Sequence, residues 1–189
     1  MTKVALYFGS YNPVHIGHLS IANYIWQNTD VDEVWMVISP QNPFKEKSSL
    51  WDENIRVELL ETAVSGHPKI RVCTIEFELP KPSYTYYTLK ELRSRFPNIE
   101  FCLVVGQDIA NEIINWKKGE EIIEENEFYV YPRKVNLEEG INLPNYHFLD
   151  APRLDISSTY IRKALKEGKD IRYLVGKDVA DNIAQLNIF

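Results

Sequence analysis

The sequence predicts an α/β fold: an open parallel sheet with helices on both faces and a small helical portion at the C-terminus. Three observations carry this. Short apolar runs of strand length recur at Val4–Phe8, Val34–Ser39, Ile70–Phe77, Phe101–Val105 and Phe128–Tyr131. The segments between them are long enough for the crossover helices that parallel strands require. Apolar residues at helical spacing follow the first two runs.

Taken in order, the first run stops at Gly9-Ser10, and Leu19, Ile21, Ala22, Ile25 and Trp26 then repeat at helical spacing. After the second run Ile55, Val57, Leu59, Leu60 and Ala63 do the same within 51–65, with Gly66 as the stop. A third helix is expected from Tyr86 to Phe96, ended by Pro97, and others at Ile109–Asn115 and Glu120–Glu125. The stretch 132–155 carries prolines and polar residues with little periodicity and reads as a long loop, functional or partly ordered. Ser157–Glu167 and Val175–Asn187 read as closing helices. With 189 residues, no internal repeat and no linker, the expectation is one domain over 1–189.

Composition narrows the function. Hydrophobic residues at 44% and charged residues at 25% fit an ordinary soluble protein and argue against disorder. A net charge of -6 argues against a general grip on nucleic acid or an anionic membrane, yet allows a small anion in a locally basic pocket. The two cysteines, Cys73 and Cys102, lie inside apolar runs and read as small buried hydrophobes rather than a disulfide or metal framework. The first apolar run ends too early for an export segment, and no run of about eighteen apolar residues exists to cross a bilayer, so a cytoplasmic protein is expected.

Chemistry concentrates in GSYNPVHIGH, residues 9 to 18. A turn from a parallel strand into a helix gathers backbone N–H groups and the positive end of the helix dipole, an arrangement that attracts phosphate. Gly9 is expected to let a ligand approach the backbone, Pro13 to stiffen the turn, and Gly17 to give clearance at the helix start. His15 and His18, three apart, share a face and can donate to phosphate oxygens, carrying positive charge when a phosphate raises their pKa. A zinc site is the other use of such a pair, but no second His or Cys pair of ligand spacing completes one.

A second stretch, Asp155-Ile156-Ser157-Ser158-Thr159-Tyr160-Ile161-Arg162-Lys163, sets three hydroxyls at a helix start with a basic pair one turn on. A plain N-cap ahead of an amphipathic helix explains that segment equally well. Two helix starts of this kind in one small α/β chain strengthen the phosphate reading.

Together the two stretches resemble the signatures of the HxGH nucleotidylyltransferases and bracket nearly the whole chain. The form GSxNPxHxGH with ISSTxIR most resembles the bacterial nicotinate-nucleotide adenylyltransferase family. Pro82-Ser83-Tyr84-Thr85 with Thr88-Leu89 is similar to that family's SYTxxTL segment, and Val105-Gly106-Gln107-Asp108 with Trp116 to its GxD...W segment. Tyr11 stands where Phe is common, Lys117 where some members have a second aromatic, and Gly176 where Pro is common.

The resemblance implies a Rossmann-like fold and transfer of AMP from ATP to nicotinate mononucleotide, giving deamido-NAD and pyrophosphate in NAD biosynthesis. It implies catalytic roles for His15, His18 and Arg162. It implies an ATP site of Gly9, Ser10, Tyr11, Lys45, Gly106, Asp108, Ser157, Ser158 and Arg162, with Mg²⁺ held mainly by the ATP phosphates rather than by protein ligands. Thr85, Trp116 and Arg133 are the expected acceptor-binding residues. Partners are then small molecules, with no nucleic acid or membrane, in a monomer or homo-oligomer. Nicotinamide mononucleotide or phosphopantetheine as acceptor, or a nucleotide sensor without catalysis, are the other readings.

Overall fold

The computed structural model describes residues 1–41, 50–133 and 143–186. Six parallel strands form one sheet in the order β3-β2-β1-β4-β5-β6. They are β1 (Thr2–Gly9), β2 (Glu33–Ile38), β3 (Ile70–Cys73), β4 (Ile99–Gly106), β5 (Phe128–Tyr131) and β6 (Tyr146–Phe148). Helices α1 (Ile16–Asn28), α2 (Glu53–Val64), α3 (Thr85–Arg95), α4 (Gln107–Ala110) and α5 (Gly119–Glu125) supply the crossovers, followed by α6 (Ser158–Lys166), α7 (Arg172–Val175) and α8 (Lys177–Gln185).

Side-chain alternation along the strands builds two cores. Ala5, Tyr7, Val34, Met36, Cys102, Val104 and Tyr129 face α1, α2, α6, α7 and α8; Val4, Leu6, Val37, Leu103, Val105 and Val130 face α3, α4 and α5. Every residue in both sets is buried. The Cys102 thiol lies in the first core, and burial pushes its pKa up to about 12, so it stays protonated.

The strand order reverses between β1 and β4, which pair from Thr2↔Ile99 to Tyr7↔Val104. At such a switch point the loops leaving two neighbouring strands diverge and open a crevice at their C-terminal ends. Gly9 and Gly106 are the residues that end these two strands. The phosphate-shaped turn of the sequence therefore stands where the topology makes a pocket.

Four expectations about elements need correction. The stretch 132–155 is not wholly loop: Tyr146–Phe148 forms edge strand β6, with Tyr146 alone buried. The third strand stops at Cys73, and the apolar run continues as a 3₁₀ turn over Ile75–Phe77 that buries Ile75 and Glu76. The helix expected over Ile109–Asn115 is α4 plus a separate 3₁₀ turn at Ile113–Asn115. The last helix is broken at Gly176, which takes φ +92° between α7 and α8 and lets the chain change direction; Asn187 lies outside the described residues.

Candidate active site

The turn after β1 is folded on itself. Tyr11 adopts φ +44°, a left-handed conformation uncommon for a non-glycine residue, and its hydroxyl donates to the Tyr7 carbonyl at 2.5 Å. This curls the ring over Gly9, where an added Cβ would stand 2.8 Å from Tyr11 Cζ. Gly9 thus makes room for Tyr11 as well as lining the cavity.

What fixes the turn is Arg56, on α2 and fully buried. Its guanidinium donates to the carbonyls of Ser10 at 2.7 Å, Ser39 at 2.9 Å, Pro40 at 3.1 Å and Trp51 at 3.2 Å. Burial lowers its pKa from the usual guanidinium value, but an arginine so placed keeps its charge. One planar cation ties three segments of backbone together, with the charges of Glu53 and Asp52 close enough to favour it. The Asn12 side-chain oxygen adds a bond from the Trp51 N–H at 3.0 Å.

His15 is the N-cap residue of α1, and its backbone N–H donates to His18 Nδ1 at 3.3 Å. With Nδ1 accepting, a neutral His18 carries its proton on Nε2. The two imidazoles stack with centroids 3.7 Å apart, and the His18 ring packs edge-on to Tyr11. His15 is 5% exposed, and burial, reinforced by the Arg133 charge, pushes its pKa down to about 4. In the ligand-free protein His15 is therefore a neutral ring at pH 7. Its Nδ1 is buried without a hydrogen-bond partner. A Cβ at Gly17 would stand 3.0 Å from the same ring, so Gly17 clears space for His15.

The second signature closes against the first across about 150 residues of chain. Ser157 caps α6, accepting from the Tyr160 N–H at 3.2 Å. The Ser158 hydroxyl donates to the Pro13 carbonyl at 2.9 Å, and Arg162 donates to the Asn12 carbonyl at 2.7 Å. Both side chains thereby hold the opening turn in addition to lining the site.

Opposite stand the ends of β4 and β5. A Cβ at Gly106 would clash with Asp108 Oδ1 and lie 3.2 Å from Arg133 Cγ, so all three residues meet there. Arg133 donates to the Tyr131 hydroxyl at 3.1 Å and lies over its ring. Thr85 opens α3, and Trp116, half-buried, ends the 3₁₀ turn after α4.

Residues 6–164 match the family model described as cytidylyltransferase-like. The chain belongs to that family. It is 43% identical over 190 residues to the "Probable nicotinate-nucleotide adenylyltransferase" of Flavobacterium johnsoniae, covering 99% of this chain and 98% of that one. It is 45% identical over 182 residues to the protein of the same description from Cytophaga hutchinsonii, covering 96% and 95%. In fold it is similar to Plasmodium falciparum nicotinic acid mononucleotide adenylyltransferase complexed with NaAD, with TM-score 0.82 and 24% identity over 100% of this chain and 97% of that chain.

In this cytidylyltransferase-like chain the site residues expected from sequence converge. His15, His18, Arg162, Gly9, Ser10, Tyr11, Gly106, Asp108, Ser157, Ser158, Thr85, Trp116 and Arg133 all line one cavity of about 660 Å³. Lys45 lies outside the described residues. Two polar residues escaped the sequence reading. Arg56 is one; the signal was its place on the i, i+3, i+4 stripe with Leu59 and Leu60, the buried face of α2. Glu76 is the other, 1% exposed in the cavity wall, with Oε1 accepting from the Thr88 hydroxyl at 2.8 Å and its carboxyl pKa raised by burial. Its signal was a carboxylate between apolar Ile75 and Phe77.

Proposed function

We propose that the chain acts as one nucleotidylyltransferase domain that transfers AMP from ATP to the phosphate of nicotinate mononucleotide, releasing pyrophosphate. The observation that carries this is the joining of two anion-shaped helix starts, α1 and α6, by Ser158 and Arg162 at the mouth of one cavity. Family membership along nearly the full chain points to the same reaction.

An oxygen of the acceptor phosphate attacks the α-phosphorus of ATP, and the bond from that phosphorus to the β-bridging oxygen breaks. The attacking oxygen is already anionic at pH 7, so no general base is needed. The protein's tasks are to bring two anions into line and to neutralise charge that moves toward the leaving pyrophosphate.

His15 and His18 serve as ring N–H donors to the phosphates. A neutral His15 brings no unpaired charge into the site before ATP arrives. Because the Ser158 hydroxyl and one Arg162 nitrogen already hold the opening turn, the phosphates meet chiefly the N–H groups at the start of α6 and the remaining Arg162 donors. Arg133, beside Gly106 and Asp108 and close enough to His15 to lower its pKa, serves the acceptor through its phosphate. Asp108 is suited to a ribose hydroxyl.

The reaction calls for a divalent cation such as Mg²⁺, which would be carried mainly on the ATP phosphates. When bound it supplies positive charge to the phosphate oxygens. At the other end Trp116 offers a face for a pyridine ring and Thr85 a hydroxyl for its substituent. No helix among the described residues is long and apolar enough to cross a membrane.

Pyrophosphate release with Mg-ATP, measured side by side with nicotinate mononucleotide, nicotinamide mononucleotide and phosphopantetheine, tests this. Preference for the first is expected. ATP binding without release for any acceptor would favour a nucleotide sensor.

A further inference from the structure

Lys117 follows Trp116 at the acceptor end and lines the cavity together with Thr85 and Tyr84. Its ammonium lies 4.7 Å from the ring centroid of Tyr84 and 4.8 Å from that of Tyr87. Those rings stand nearly perpendicular, 6.4 Å apart, at the start of α3. Among the described residues Lys117 makes no ion pair, whereas Lys118 next to it is paired with Glu121.

Two aromatic faces orient a cation without neutralising it, because a ring quadrupole attracts positive charge but carries none. A lysine so held has less rotamer freedom to lose on binding, and its charge remains available for an anion in the cavity. Phosphate does not account for it: the arginines and helix starts that suit phosphate gather at Asn12, Gly106 and α6. What remains beside an indole and a threonine hydroxyl is a flat base with a negative substituent.

We propose that Lys117 is a specificity-determining residue that selects an acceptor mononucleotide whose pyridine bears a carboxylate over the analogue bearing a carboxamide. The inference rests on the adenylyl-transfer reading for the identity of the acceptor. A carboxylate gains a charge-assisted hydrogen bond from the ammonium, whereas a carboxamide gains only a weaker one.

The test compares wild-type, Lys117→Met and Lys117→Arg proteins on both mononucleotides, by kcat/KM for pyrophosphate release and by Kd from calorimetry. Lys117→Met should lower the acid-over-amide ratio about tenfold in each readout, the scale of one such bond, and Lys117→Arg should restore most of it. The ratio should also shrink with added salt, since the pair is partly open to solvent. A ratio that Lys117→Met leaves unchanged, an equal loss toward both acceptors, or a wild-type protein without preference would each overturn the assignment. If wild-type protein binds the acid more tightly but releases no pyrophosphate, adenylyl transfer fails while the Kd ratios still decide the role of Lys117.

Discussion

The two ends of the cavity are built on different plans. At the phosphate end the side chains of Arg56, Arg162 and Ser158 bond backbone carbonyls, and the shape of the site is backbone shape. At the acceptor end Thr85, Trp116 and Lys117 present their own side chains, half-buried or exposed, from the starts and ends of short helical segments. Preorganisation is needed most where charge moves during reaction, because donors fixed beforehand cost no reorganisation then. Recognition of the acceptor's flat ring and one substituent can be left to individual side chains. Mutations at the first end should therefore damage fold and turnover, and those at the second should change affinity for one substrate.

The largest effect is expected at Arg56. Arg56→Met keeps the volume but leaves the carbonyls of Ser10, Ser39 and Pro40 buried with no donor from α2. Unsatisfied buried groups cost about 1–3 kcal/mol each, so a loss of roughly 3 kcal/mol or more is expected in urea unfolding, with activity lost alongside. Arg56→Lys retains charge but not the planar fork and should fall between. Wild-type stability in Arg56→Met would show that the turn holds its shape without the arginine.

Next is His18. His18→Ala removes a phosphate donor and the acceptor for the His15 N–H, yet lies outside the main cores. Turnover should fall by about 10², the scale for one preorganised donor, with an unchanged far-ultraviolet dichroism spectrum. Full activity would remove the imidazole from the mechanism.

The pH dependence of stability probes the same end more gently. His15 has its folded pKa depressed to about 4 against an ordinary 6.5, so between those values the unfolded chain binds more protons. The contribution is fully present above pH 6.5 and is lost as pH falls toward 4, at about 1.4 kcal/mol per pH unit within the window. Between pH 7 and 5, wild-type protein should lose about 2 kcal/mol more than His15→Asn in urea titrations. Equal losses would mean that His15 protonates freely in the folded protein.

The same contrast governs what could be read from sequence. Five strands showed themselves because each carries an apolar run of strand length, buried on both faces in β4 and β5 and along the middle of β1. β6 escaped because three residues with one buried side chain have no period. The run at Ile70–Phe77 concealed a change from strand to 3₁₀ turn because both bury apolar residues. Within the site, the signatures at 9–18 and 157–162 were visible because anion binding by helix starts depends on local spacing. Arg56 and Glu76 were not, since a polar residue in an apolar pattern looks like a solvent-facing position until its partners, from distant segments, are known. At Gly9 and Gly17 the spacing announced a need for clearance but not what takes it up, a ring two residues away in each case, Tyr11 and His15.

The smallest effect sharpens the division between the ends. Thr85 is the first residue of α3, and among the described residues its hydroxyl has no hydrogen-bond partner, so Thr85→Ala removes no bond from the fold. Alanine is also a good helix former, and stability should change by less than about 0.5 kcal/mol. If the hydroxyl reads the acceptor, one neutral hydrogen bond is lost, raising KM for nicotinate mononucleotide by roughly fivefold. KM for ATP should not follow if ATP binds at the opening turn, whose backbone Thr85 does not hold. A parallel rise in both constants would mean that α3 and the opening turn move as one, and that the two ends share a single preorganised wall.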